Sequence, residues 1–248
     1  MHRLGLLVVL LVGCPKRGGD VDALADYLTR ADAAWEARAQ GGLDPVEEIL
    51  QEAFQIGRTD PRLRWRLARL DVARGMATAN TVQAQAAYAR ARGHGWSCLN
   101  RVSGVPELRR SGAIEEALGR VGSDLAPCVA WTGMAWARWR QAAGIAGTID
   151  DDALQEYVAA MPDDPDGLAA WSAAIVDSLY DQTAAVESFD AVVASHPDDA
   201  VRQADRLLWV TAVQEPQQLR EVGPGFVEQD VSLPEERGAV ARVAAALQ

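Results

Sequence analysis

The sequence predicts an all-α protein built of irregular helical hairpins stacked into a solenoid or bundle, and three observations carry that prediction. The chain is rich in Ala, Leu, Arg and Glu, and no run alternates with period two long enough to make a strand. Helix-capping residues punctuate it at intervals. The predicted helices fall into pairs of about 34 residues, a spacing that points to a repeated helix-turn-helix unit.

The first segment stands apart from this pattern. His2 and Arg3 make a basic head, Leu4 to Gly13 are apolar, and Cys14 follows. Ten helical residues span about 15 Å, half of a hydrocarbon core of roughly 30 Å, so the run is too short to cross a bilayer alone. A basic head, a short apolar stretch and a small residue before a cut describe a secretory signal. The tetrad Leu11-Val12-Gly13-Cys14 resembles the lipobox of bacterial lipoproteins. That resemblance implies removal of residues 1–13, a diacylglycerol on the Cys14 thiol, and residues 14–20 as a lipidated tether. Pro15 rather than Asp follows the cysteine, and this position does not decide between the membranes. The outer membrane is expected ahead of the inner, with the protein facing the periplasm. Residues 21–248 are expected to form a single all-helical domain.

Within that domain, helices are predicted at 20–40, 44–57, 61–75, 80–93, 105–120 (broken), 125–143, 151–161, 166–180, 182–195, 198–214 and 233–247. Asp44-Pro45-Val46-Glu47 and Ser232-Leu233-Pro234-Glu235 read as capping boxes. Asp124, Asp150, Asp166 and Asp181 are plausible N-caps. The stretch 220–233, "REVGPGFVEQDVSL", reads as the longest linker. Residues 127–144 carry Trp131, Trp136 and Trp139 on one helix. At 100° per residue Trp136 and Trp139 are neighbours, and the helix is apolar nearly all round, which predicts that others enclose it.

The hairpins are similar to tetratricopeptide (TPR) repeats. Ala185, Phe189 and Pro197 have the expected spacing, with Val192 where Ala is usual, and Ala84, Tyr88 and Ala91 match a second copy. A lipobox, TPR-like hairpins, the "AYARARGHG" helix end, a Trp-rich helix and "AVESFDAVVASHPDD", in that order, resemble the T-component lipoproteins of TRAP transporters. The resemblance implies a helical periplasmic lipoprotein that forms a homotrimer, holds a channel and pairs with a periplasmic solute-binding protein. The family's aromatic pair is here Val129-Ala130-Trp131, one aromatic fewer. The alternative is a TPR-like scaffold for outer-membrane or envelope assembly. A continuous apolar tunnel would favour the first, and a solid core with an exposed groove the second.

Charge and motifs narrow the classes further. The chain carries a formal charge of −11, and loss of Arg3 with the signal makes it −12, which repels phosphate backbones and argues against nucleic acid. Trp131, Trp136, Trp139 and Arg138 are candidate channel or ligand-wall residues, with core packing as the commoner use of Trp. Arg138 and Arg140 suit a substrate carboxylate, against the plainer roles of surface arginine or cation–π partner. Cys98 and Cys128 are equally compatible with a disulfide and with two buried thiols. His94, four residues before Cys98, lacks a third orienting group, so "RGHGWSC" reads as a loop histidine beside a structural thiol. The acidic turns "MPDDPDG" and "HPDD" lack the Glu that closes a calcium loop. No catalytic role, metal or cofactor is expected.

Overall fold

Fourteen α-helices and no strand occupy the described residues of the computed structural model, which are 17–144, 148, 150–211 and 216–248. Cys14 and residues 1–13, the expected signal segment, lie outside them. No helix among the described residues is long and apolar enough to cross a membrane.

The chain begins with a hairpin of α1 (Arg17–Glu36) and α3 (Asp44–Gly57), joined through the short α2 (Arg38–Gly41). Leu24, Leu28, Ala31 and Trp35 recur at helical spacing on α1 and share one core with Val46, Leu50 and Ala53 of α3. The next hairpin pairs α4 (Pro61–Ala77) with α5 (Thr81–Leu99). Asp60 caps α4 by accepting from the Arg62 amide at 2.8 Å, and Asn80 caps α5 by accepting from the Gln83 amide at 3.1 Å. Helix α4 is two-faced. Leu63, Leu67, Leu70 and Ala73 belong to the first core, whereas Val72 and Met76 belong to a second, larger one.

That second core surrounds α8 (Ala126–Ala143), reached through α6 (Val105–Ser111) and α7 (Ile114–Gly119). As expected from its composition, α8 is enclosed: it packs against α4, α5, α9 (Asp151–Ala159) and α10 (Leu168–Tyr180). Helix α10 forms a further hairpin with α11 (Gln182–Ser195), whose Ala185, Phe189 and Val192 are buried at the repeat positions. Helix α12 (Ala200–Arg206) runs into a wider π turn, Leu207–Thr211. Helix α13 (Pro216–Val227) then leads to α14 (Pro234–Ala246), which packs on both α12 and α4. The closest approach is at Gly238, where a Cβ would stand 2.2 Å from the Met76 carbonyl oxygen, so no larger residue permits this contact.

Several local expectations fail for tertiary reasons. The 220–233 linker is helical as far as Val227, because Leu219 and Phe226 are buried and their packing overrides Pro224 inside the helix. Helix α5 continues through "RGHGWSC" to Leu99. Gly95 allows this: Thr132 of α8 packs into the space a Cβ would fill, at 1.9 Å from its hydroxyl oxygen. The Asp44 capping box does not form, since Asp44 and Glu47 both turn to Arg74. At α14 the returning carboxylate is Glu236, which accepts from the Leu233 amide at 2.9 Å, while Glu235 pairs with Arg38. Of the four aspartates proposed as N-caps, Asp181 caps its helix, and Asp164 rather than Asp166 accepts from the first amides of α10.

Candidate functional site

Charge inside the larger core centres on Arg138 of α8, 3 % exposed, and Asp205 of α12, 1 % exposed. Arg138 Nη1 donates to Asp205 Oδ1 at 2.9 Å and Nη2 donates to Oδ2, a two-pronged pairing. Trp171 Nε1 of α10 donates to the same Oδ2 at 2.8 Å, and the Arg138 guanidinium lies 4.8 Å from the Trp171 ring centroid. Burial works against the Arg138 charge, and the Asp205 carboxylate more than offsets it, so the guanidinium holds its proton more tightly than usual.

This pair forms one side of a cavity of about 370 Å³ bordered by α4, α5, α8, α12 with its π turn, and α14. Tyr88, Gln141, Trp209 and Arg242 also line it, with Thr78 and Thr81. Arg242 Nη1 donates to the Met76 carbonyl at the end of α4. Its Nη2 is buried without an acceptor among the described residues, as are Gln141 Nε2 and Arg138 Nε. Burial lowers the pKa of Arg242, with Asp205 opposing the shift, and burial raises that of the Tyr88 hydroxyl.

No protein-family model matches the chain, and no curated protein matches it significantly. The reading of the site therefore rests on its own residues.

The structure separates the four residues proposed as a channel or ligand wall. Trp131 borders a smaller cavity of about 190 Å³ with Trp65 and Arg69. Trp136 sits in an aromatic cluster with Trp96 and Tyr157, the ring centroids 5.5–5.9 Å apart in edge-to-face pairs, and borders a third cavity of about 420 Å³ with Arg92 and Arg109. Trp139 lies under the Arg92 guanidinium at 4.2 Å, which also approaches Trp136, as the helical spacing of the two rings predicts. These three cavities share no lining residue, and Arg138 alone of the four borders the two-arginine one. The surface reading of the arginines is corrected: both are buried, and Arg140 pairs with Asp151 at 2.6 Å.

Cys98 and Cys128 form a disulfide, Cα–Cα 6.2 Å, that ties α5 to α8. His94 is helical and mostly buried, not a loop residue. Arg64 Nη1 lies 2.9 Å from His94 Nδ1, and since a guanidinium only donates, Nδ1 accepts and the ring proton sits on Nε2. Asp71 faces that nitrogen at 3.7 Å. Burial, then the charges of Arg64 and Arg90, bring the His94 pKa from its ordinary 6.5 down to about 4.

A pH effect follows. Between these two values the unfolded chain binds a proton that the folded one refuses, so stability falls as pH drops from 6.5 toward 4. Between pH 7 and about 4.5 the wild type should lose about 2–3 kcal/mol more than His94→Gln, which keeps an acceptor for Arg64 without a titrating ring. Urea unfolding of both at the two pH values reads the difference. Parallel pH profiles would contradict the assignment.

Arg242, Asp205 and Gln141 were not foreseen from the sequence. Arg242 follows Gly238 by one helical turn on the face that α14 turns to α4, and no sequence motif marks it.

Proposed function

We propose that the chain is a non-enzymatic helical-repeat protein, held in the bacterial envelope by lipid on Cys14 and facing the periplasm, the outer membrane being the more natural site. Its role is that of an accessory to a TRAP-type uptake system, docking the solute-binding protein. The supporting observation is the stack itself: the hairpins α4/α5 and α10/α11 both pack on a buried Trp-rich α8, in the element order that the resemblance implies. Cys98 does not serve as a nucleophile beside His94, since it is held in a disulfide and has no free thiol. The mechanism is positional. Lipid fixes the stack at the membrane, and the helical surface presents a fixed shape to a partner.

Intact-mass measurement of the membrane-extracted protein, with affinity capture from native membranes, tests this reading. A diacylglyceryl Cys14 at the N-terminus and recovery of a solute-binding protein are expected. Retained Met1 with unmodified Cys14 would overturn the anchoring, and capture of envelope-assembly proteins instead would overturn the uptake role. The second reading, a scaffold for envelope assembly, is favoured by one observation: rather than all three tryptophans of α8 lining one tunnel, Trp131 borders a cavity separate from the one at Trp136, beside which Trp139 lies under Arg92.

A further inference from the structure

We infer that the cavity between α4, α5, α8, α12 and α14 is a binding site for a small organic monocarboxylate, with Arg242 as the residue that holds the anion. The inference does not depend on the partner or the membrane anchor proposed above, because binding to the isolated chain reads the cavity alone.

Among the described lining residues Asp205 is the one acid, and Arg138 takes both of its carboxylate oxygens. Among the described residues Arg242 has no carboxylate of its own, and the Met76 carbonyl anchors its guanidinium at one end. Counted over the described lining residues, the cavity carries one uncompensated positive charge, which a single negative charge on a ligand would balance.

Arg242 Nη2, Gln141 Nε2 and Arg138 Nε are buried donors without acceptors among the described residues, and all three residues line the cavity. Buried polar atoms are normally satisfied, so unsatisfied donors on three residues of one cavity call for an acceptor that enters it. A carboxylate supplies several acceptor sites on two oxygens, and the planar geometry suits a guanidinium edge.

Ala79, Ala84, Ala142, Leu208 and Trp209 make most of the remaining lining apolar, beside Thr78 and Thr81, and would accommodate a hydrocarbon or aromatic body. At about 370 Å³ the volume is at the small end of ligand cavities. One free guanidinium in an apolar surround selects against phosphate and dicarboxylates, which would bring a second charge with nothing to meet it.

Calorimetric titration of the full chain in detergent at neutral pH, with hexanoate, phenylacetate, hexanamide, succinate and inorganic phosphate, tests the site. At least one monocarboxylate is expected to bind with a dissociation constant below about 1 mM, and hexanamide, succinate and phosphate at least about tenfold more weakly. Arg242→Gln should weaken the monocarboxylate about tenfold or more, while Arg242→Lys keeps part of the affinity. Failure of both monocarboxylates to bind the wild type overturns the inference. So does equal binding of hexanamide and hexanoate, or unchanged affinity in folded Arg242→Gln. The amide comparison needs no variant, so a misfolded Arg242→Gln leaves the test intact.

Discussion

Replacing Asp205 with alanine is expected to destabilise the protein by about 3–5 kcal/mol, because it strands a buried guanidinium without a counter-charge. Arg138 is 3 % exposed, so hydration makes up little of the lost counter-charge. The same change removes the acceptor of the Trp171 indole N–H. For a chain of this size that loss corresponds to a melting temperature lower by roughly 6–20 °C. Asp205→Asn should lose less, since its carbonyl can still accept from Trp171 and one guanidinium N–H. The double variant Arg138→Met/Asp205→Leu removes both charges and should return to within about 1–2 kcal/mol of wild type, since a buried ion pair is often replaceable by apolar residues. Chemical denaturation of the three variants separates the pair from the charge. A loss below about 1 kcal/mol in Asp205→Ala would mean that Arg138 does not need its partner.

The Arg138–Asp205 pair also marks where sequence reasoning stopped. Arg138 was visible because it sits between tryptophans on a helix with an evident period. Asp205 stands 67 positions away and follows Ala204 at the end of α12, with nothing local to distinguish it from a solvent-facing acid. Pairings of that kind are decided by how helices stack. The elements themselves were more legible. The bounds of α3 and α11 coincide with those expected, because Pro45 lies in the first turn of α3 and Asp181 caps α11 within its own turn. Legibility failed where glycine and proline read as breakers. Gly95 is a contact point for Thr132, and Pro224 is carried within α13 by the burial of Leu219 and Phe226. The cysteines were undecidable in sequence for a related reason: their separation in space follows from the α5–α8 crossing, which no spacing encodes.

That crossing leads to the second large effect. Opening the Cys98–Cys128 bond, by reduction or as Cys98→Ser/Cys128→Ser, is expected to cost roughly 3–4 kcal/mol. The bond closes a loop with a sequence separation of 30. Releasing it gives the unfolded chain the conformational freedom that the cross-link withheld. The native state is little changed by the cut, since α5 and α8 also meet through Trp96, Trp136 and the Gly95–Thr132 contact. Both sulfurs lie 3.9 Å from the Pro61 carbonyl oxygen, so the reduced thiols gain a weak acceptor that offsets a small part of the loss. The melting temperature should fall by roughly 6–16 °C on reduction, and the double serine variant should no longer respond to reductant. The measurement also bears on compartment. Such bonds persist in oxidising surroundings and are rare where thiols are kept reduced. Protein from the periplasm should show neither thiol by alkylation and mass spectrometry, whereas the same chain held in a reducing cytosol should show both and melt at the lower temperature. Two free thiols in protein taken from the periplasm would remove the cross-link and, with it, an argument for the proposed envelope location.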